Sequence, residues 1–132
     1  MRQLLLAIVL ILVPIGAFTA FHIVTAPSAA SMGSKPSLGD LAPLKTIVAD
    51  VQADVAKGDL AAATLRMTDY EGAWDQGETA IRPLNPDYWA HVDAASDGAI
   101  KALREAHPSA DKARKTLAAL MASLNDPSKP VA

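Results

Sequence analysis

The sequence contains no cysteine among its 132 residues, few aromatic residues (5%) and no excess of positive charge. Without cysteine, the chain has no disulfide, no thiolate ligand for a metal, no thiol nucleophile and no cysteine for lipid attachment. The formal net charge of −2 provides no basic surface of the kind that attracts nucleic acid, so we expect no binding to DNA or RNA. Stability must therefore come from the packing of apolar side chains.

Alternating strand patterns are scarce as well, and the sequence contains no phosphate-binding loop and no nucleophile elbow. Hydrophobic residues make up 51% of the chain, and most of them are alanine and leucine, which favour helices. This composition predicts an all-α domain with one modest core.

The N-terminus has the features of a membrane-engaging leader. Arg2 is followed by an uncharged, strongly apolar run from Leu4 to Val24. A membrane-spanning helix needs about 20 apolar residues, whereas the apolar part of a cleaved signal has about 7 to 15, so the length favours an anchor. The small residues at 28–30 suit a signal peptidase instead. Residues 1–30 are therefore predicted to be a signal anchor or a signal peptide.

Both alternatives place the rest of the chain outside the cytoplasm, because Arg2 favours a cytoplasmic N-terminus. This predicts a bacterial inner-membrane protein, held by residues 4–24 with its C-terminal domain in the periplasm, or a periplasmic protein if the leader is cleaved. Residues 31–37 are rich in Ser, Gly and Pro and predict a flexible linker. Residues 38–126 then form the helical domain, and residues 127–132 form a polar tail.

Apolar residues recur with helical spacing in four stretches of the helical domain, and in each stretch they form one apolar stripe along a helix. The four stripes are Leu41, Leu44, Ile47, Val48, Val51 and Val55; Leu60, Ala63, Met67, Tyr70, Trp74 and Ile81; Trp89, Val92, Ser96, Ala99, Ile100 and Leu103; and Ala113, Leu117, Leu120, Met121 and Leu124. Gly58 and Asp59 separate the first two helices, and Asn85 and Pro86 begin the third. This pattern predicts a small up-down four-helix bundle that follows an N-terminal membrane segment. The same helices would also pair between two chains, so a homodimer stays open.

Acidic residues line one border of each tryptophan-bearing stripe when the helices are drawn at about 100° per residue. The five border carboxylates are Glu71, Asp75, Glu78, Asp93 and Asp97. If the two borders face each other, these carboxylates line one cleft above Trp74 and Trp89. Arg82 and Arg104 lie on the same borders, and Arg82 follows Glu78 at the spacing of a helical ion pair.

These acids have two interpretations. Clustered carboxylates suit a hard metal cation or a cationic ligand. His91 lies on the opposite side of its helix from Asp93, so the Glu-x-x-His motif of di-iron bundles is absent. Alternatively, the acids are solvated helix flanks that pair with arginines, while the tryptophans anchor the core. His91 itself is interpreted as an exposed surface histidine near Asp87.

The order of several residues in the helical domain resembles a group of small exported bacterial helical proteins without an assigned biochemical role. The residues that carry the resemblance are Gly58-Asp59, Ala62 or Ala63, Arg66, Asp69, Glu71, Trp74-Asp75, Glu78, Pro86, Trp89, Asp93 and Asp97. Members of that group are sometimes labelled histidine kinases. Here His91 is not followed by the acidic residue and proline of a phospho-accepting histidine box, and no ATP-binding part is present. The resemblance therefore implies an exported helical domain and no particular activity.

Together these observations predict a non-catalytic accessory protein, membrane-tethered or periplasmic, whose helical bundle binds a protein partner or a ligand. The alternative is a metal-binding or metal-handling domain that uses the five border carboxylates. We expect no enzymatic activity and no cofactor, apart from a hard metal cation in the second case.

Overall fold

The computed structural model describes residues 37–132, which form four α-helices and no strand. The helices are α1 (Ala42–Ala56), α2 (Leu60–Ile81), α3 (Pro86–Leu103) and α4 (Ala110–Asn125), with a 3₁₀ turn at Arg82–Leu84 between α2 and α3. The predicted all-α class is confirmed for this range. The predicted leader, the membrane segment within it and the linker up to residue 36 lie outside the described residues. None of the four helices has the combined length and apolar character that a bilayer crossing requires.

Local capping groups set where the helices begin. Asp59, Asn85 and Ser109 each accept a hydrogen bond from the backbone N–H three residues further on, at 2.9, 3.1 and 3.4 Å respectively. These bonds satisfy N–H groups that have no partner inside the helix. Pro86 occupies the first turn of α3, where its missing N–H costs nothing. Gly58 follows α1 with a φ of +81°, a conformation that suits glycine.

The four helices pack in a closed cycle in which each helix touches two neighbours. α1 packs against α2 and α4, and α3 packs against the same two helices. The hydroxyl of Thr64, near the start of α2, lies 3.4 Å from the carbonyl oxygen of Leu103 at the end of α3. Trp74, further along α2, contacts Asp93 near the middle of α3, so these two helices run antiparallel. The chain thus forms a helical bundle whose consecutive helices are neighbours.

The core lies along the axis of the bundle and uses one face of each helix. Its buried helical residues are Leu44, Val48, Val51 and Val55; Ala63, Met67, Tyr70 and Trp74; Val92, Ala95, Ser96, Ala99, Ala102 and Leu103; and Ala113, Leu117, Leu120, Ser123 and Leu124. Most predicted stripe residues are in this set, while Ile47, Trp89, Ile100 and Met121 pack partly buried at its margin. Five of these buried residues are alanines, which contribute little side-chain volume to the core.

Two helical glycines lie where a larger residue fits. A Cβ atom added at Gly72 or Gly98 would meet no heavy atom within 4 Å. We expect Gly72→Ala and Gly98→Ala each to raise the free energy of unfolding by about 0.5–1 kcal/mol, because alanine loses less backbone entropy on forming a helix. Urea denaturation would measure the gain. Gly58→Ala is the matched control and should destabilise the chain, because its positive φ strains a Cβ-bearing residue.

Candidate functional site

The line along which α2 and α3 pack, here called the seam, contains a stack of aromatic rings. The ring centroids of Tyr70 and Trp74 are 6.4 Å apart, and those of Trp74 and Trp89 are 5.8 Å apart, with nearly parallel planes in both pairs. Trp74 is only 5% exposed, and its indole Nε1–H donates a 3.0 Å hydrogen bond to Oδ1 of Asp93. This bond satisfies the one polar group of a buried indole, and it fixes a carboxylate at the edge of the stack.

A buried hydrogen-bonded pair lies deeper in the seam. The hydroxyl oxygens of Tyr70 and Ser96 are 2.7 Å apart, and Ser96 also lies 2.8 Å from the carbonyl oxygen of Val92. Because the single hydroxyl proton of Ser96 points to that carbonyl, the Tyr70 hydroxyl is the donor in the pair. Burial raises the pKa of the Tyr70 phenol well above its ordinary value. The group therefore stays neutral and acts here as a structural donor.

An arginine lies toward each end of the seam. The guanidinium of Arg104 in the α3–α4 turn donates to both carboxylate oxygens of Glu71 on α2, at 2.5 and 3.1 Å. At the other end, the Arg82 guanidinium donates to Glu78 at 2.9 Å, and its Cζ lies 4.8 Å from the centroid of the Trp89 ring. The first contact joins two elements through a bidentate pair. The second is a cation–π contact on the face of a half-buried indole.

Seven of the nine predicted site residues take part in the contacts described above, and Asp75 and Asp97 take part in none of them. Glu71 and Glu78 accept hydrogen bonds from arginines, and Asp93 accepts one from an indole. Asp75 and Asp97 are exposed, and neither side chain has a hydrogen bond or an ion pair with another of the described residues. Two contacts therefore join the borders of α2 and α3, namely the Arg104–Glu71 ion pair and the bond from the Trp74 indole to Asp93.

The metal-binding interpretation gains no geometric support from these positions. Within residues 37–132, no three or more His, Asp or Glu side chains come together as a set that could hold a metal ion. Three of the five carboxylates accept hydrogen bonds from an arginine or an indole. That hypothesis stays a prediction from the sequence.

Sequence reasoning missed two contacts outside the borders. His91 is partly buried, not exposed, because its Nδ1 lies 2.8 Å from the carbonyl oxygen of Pro127 beyond α4. Its imidazole also stacks on Tyr88 at 6.5 Å. The Tyr70–Ser96 pair was missed as well, although Ser96 at a core position of a helix was a signal that a buried donor or acceptor lay nearby. Nothing local in the sequence indicated the His91 contact.

Residues 37–132 thus form a small all-α bundle, and the seam between α2 and α3 carries stacked aromatic rings with charged side chains beside them. Comparison of the chain with protein-family models, with curated proteins and with solved structures found no match.

Proposed function

We propose that this chain is a non-catalytic accessory protein, anchored in the bacterial inner membrane by residues 4–24 or released into the periplasm by cleavage, whose bundle binds a protein partner. The binding surface is the end of the seam nearest the α2–α3 turn. It consists of Glu78, Arg82, Leu84 and Trp89 and is called the corner surface below.

The exposure of the corner surface carries this proposal. Arg82 has 57% of its side chain exposed, and Leu84, in the same 3₁₀ turn, is 55% exposed. Arginine and tryptophan are the residue types that most often dominate the energy of protein interfaces. A large exposed leucine beside them supplies apolar area that a partner would remove from water. Arg82 and Leu84 thus lie exposed on one turn, and Arg82 covers the face of Trp89 near the start of α3.

The ion pair between Arg82 and Glu78 at the corner surface is weak enough for contacts with a partner to replace it. The Arg82–Glu78 pair joins residues four apart on a solvent-exposed helix end, and such pairs contribute about 0.3–0.5 kcal/mol. A partner can therefore reorient Arg82 at little energetic cost and gain access to the Trp89 face. Once buried in an interface, the same guanidinium and indole interact more strongly because water no longer screens them.

The engagement of the seam carboxylates supports a binding role over a catalytic one. Acid–base catalysis needs a carboxyl group within reach of a substrate held in a pocket. Glu71, Glu78 and Asp93 each accept hydrogen bonds from donors of the chain itself. Among the grooves in residues 37–132, one lies between α4 and the tail, and another lies between the start of α1 and the end of α4.

Site-specific photo-crosslinking in intact cells tests the proposal on the full chain. We expect a photoreactive residue at Leu84 to give one discrete protein adduct, and the same residue at Leu65 to give none. Leu65 is the matched control, because it is 74% exposed on α2 but lies away from the corner surface. Once the partner is identified, Arg82→Ala should weaken its binding by about tenfold or more, measured by calorimetry.

The pattern of adducts decides the outcome. An adduct of twice the chain mass would show that the partner is a second copy of this protein. Equal adducts at both leucines, or none at Leu84, would contradict the proposal. Since the chain has no cysteine, labelling of Leu84→Cys by a membrane-impermeant maleimide in intact spheroplasts supplies the control for export.

A further inference from the structure

The corner surface contains a site that fits a guanidinium group. Arg82 fills this site within its own chain, because its Nη1 donates to Oε1 of Glu78 at 2.9 Å and its Cζ lies 4.8 Å from the centroid of the Trp89 ring. A carboxylate beside the face of an indole offers a flat cation both a hydrogen-bond acceptor and a negative π surface. Glu78 and Trp89 therefore define the chemistry of the group that binds against them.

Arg82 is held in this site weakly enough to be exchanged. Among residues 37–132 its side chain donates no hydrogen bond apart from the one to Glu78, and 57% of the Arg82 side chain and 40% of the Glu78 side chain are exposed. Exposed ion pairs of this kind contribute little to stability. A guanidinium from another molecule can therefore take the place of Arg82, provided that Arg82 gains an equivalent carboxylate in return.

A second copy of this chain meets both conditions at once. In a contact with two-fold symmetry each copy presents the same surface, so two residues that meet across the contact meet twice. We propose that two copies of the chain associate through their corner surfaces by exchanging Arg82 side chains. Each guanidinium then pairs with Glu78 and covers the Trp89 face of the other copy. This inference rests on the partner-binding role proposed for the corner surface, and it names the partner.

The exchange keeps every charge of the interface paired. Two ion pairs within the copies are replaced by two ion pairs between them, so no guanidinium or carboxylate loses its counter-charge when water leaves the contact. A charged group left unpaired in an interface is strongly unfavourable. A foreign partner would have to supply a carboxylate for Arg82 and a cation for Glu78 in the same arrangement. Exchange of an identical element between two copies is a low-cost route to a dimer.

The turn that carries Arg82 is suited to docking. Pro83 and Pro86 lie exposed on either side of Leu84, and their rings restrict the backbone, so the turn loses little freedom on binding. Leu84 is 55% exposed and supplies apolar area that the second copy removes from water. Stable interfaces cover about 1,200–2,000 Å², and one turn with its adjoining helix ends supplies less. We therefore expect a weak dimer, which crosslinking in intact cells detects.

Charge reversal on the full chain tests the exchange, with the photo-crosslink at Leu84 as the readout. We expect the unaltered chain to give an adduct of twice the chain mass. Arg82→Glu alone and Glu78→Arg alone should each lower the yield of that adduct by about tenfold or more, because like charges then face each other across the contact. Co-expression of the two variants, one of them lengthened by a tag, should restore a mixed adduct of intermediate mass. The two glutamates of one variant then face the two arginines of the other.

An ion pair outside the corner surface gives the matched control. Arg114 and Asp111 pair at 2.7 Å on α4, and both side chains are exposed. Arg114→Glu reverses a charge of the same kind and should leave the Leu84 adduct unchanged. Circular dichroism of each purified variant confirms that it is folded.

Three results would overturn the inference: a single charge reversal that leaves the yield of the double-mass adduct unchanged, folded variants that give no mixed adduct when co-expressed, or a Leu84 adduct with a different protein. The last result would leave the partner-binding role of the corner surface standing and would change only the identity of the partner. The absence of any adduct at Leu84 would contradict both proposals.

Discussion

Trp74→Ala is expected to lower the free energy of unfolding by about 3–5 kcal/mol, the usual cost of deleting a large buried aromatic side chain. Trp74 stacks on Tyr70 on one side and on Trp89 on the other. Its removal leaves a cavity between α2 and α3 and strips Asp93 of the indole donor. Since small domains are stable by only about 5–15 kcal/mol, this single change removes much of the total.

Thermal unfolding followed by circular dichroism measures this loss. For a domain of this size the melting temperature should fall by roughly 4–8 °C per kcal/mol. Trp74→Phe keeps a ring in the stack and removes the Nε1–H, so we expect a smaller loss of about 1–2 kcal/mol. Leu65→Ala is the surface control and should change stability by less than about 0.5 kcal/mol. If Trp74→Ala were as mild as Leu65→Ala, the seam would not be a packed part of the core.

Alkaline pH is expected to destabilise the bundle steeply through Tyr70. Its pKa is raised in the folded state, chiefly because burial deprives the charged phenolate of hydration, whereas in the unfolded chain the phenol titrates near the ordinary value of 10.0. The stability from burying the neutral phenol is therefore complete below pH 10. Above it, the free energy of unfolding should fall by about 1.4 kcal/mol per pH unit, because the unfolded state releases a proton that the folded state retains.

Tyr70→Phe isolates this contribution from the loss of lysine ion pairs at high pH. The variant keeps the ring but has no proton to release, so its stability should decline less steeply than that of the unaltered chain. Ser96 keeps its bond to the Val92 carbonyl in this variant, which limits the loss at neutral pH to about 0.5–1.5 kcal/mol. Urea titrations at several pH values between 9 and 11 provide the comparison. Parallel slopes for the two chains would mean that Tyr70 is not the titrating group.

The two tests examine different parts of one interface. Trp74 reports on the packing of the rings, and Tyr70 reports on the exclusion of water from the buried hydroxyl pair. Both bear on the proposed partner-binding role, because the corner surface depends on α2 and α3 being fixed against each other. A flexible seam would move Arg82 and Trp89 apart and lose the pre-organised contact between them.

Part of the candidate site was predictable from the sequence. The Glu78–Arg82 ion pair follows from a spacing of four residues on one helix and is present. The contacts of Trp74 with Asp93 and of Glu71 with Arg104 join different elements, and helical periodicity only put these residues on the correct borders. Which border atoms meet depends on how far α2 and α3 slide and rotate relative to each other, and that is decided by core packing.

The sequence by itself determined the helices of the described residues and the faces they bury. Capping by Asp59, Asn85 and Ser109, the breaker Gly58 and the spacing of apolar residues act within one or two helical turns, so they can be read locally. Only the tertiary structure decided that the acids would be divided between arginines, an indole and solvent, and that the tail would fold back to His91. Those contacts join residues far apart in the chain, and the packing of the whole bundle sets the distances between them.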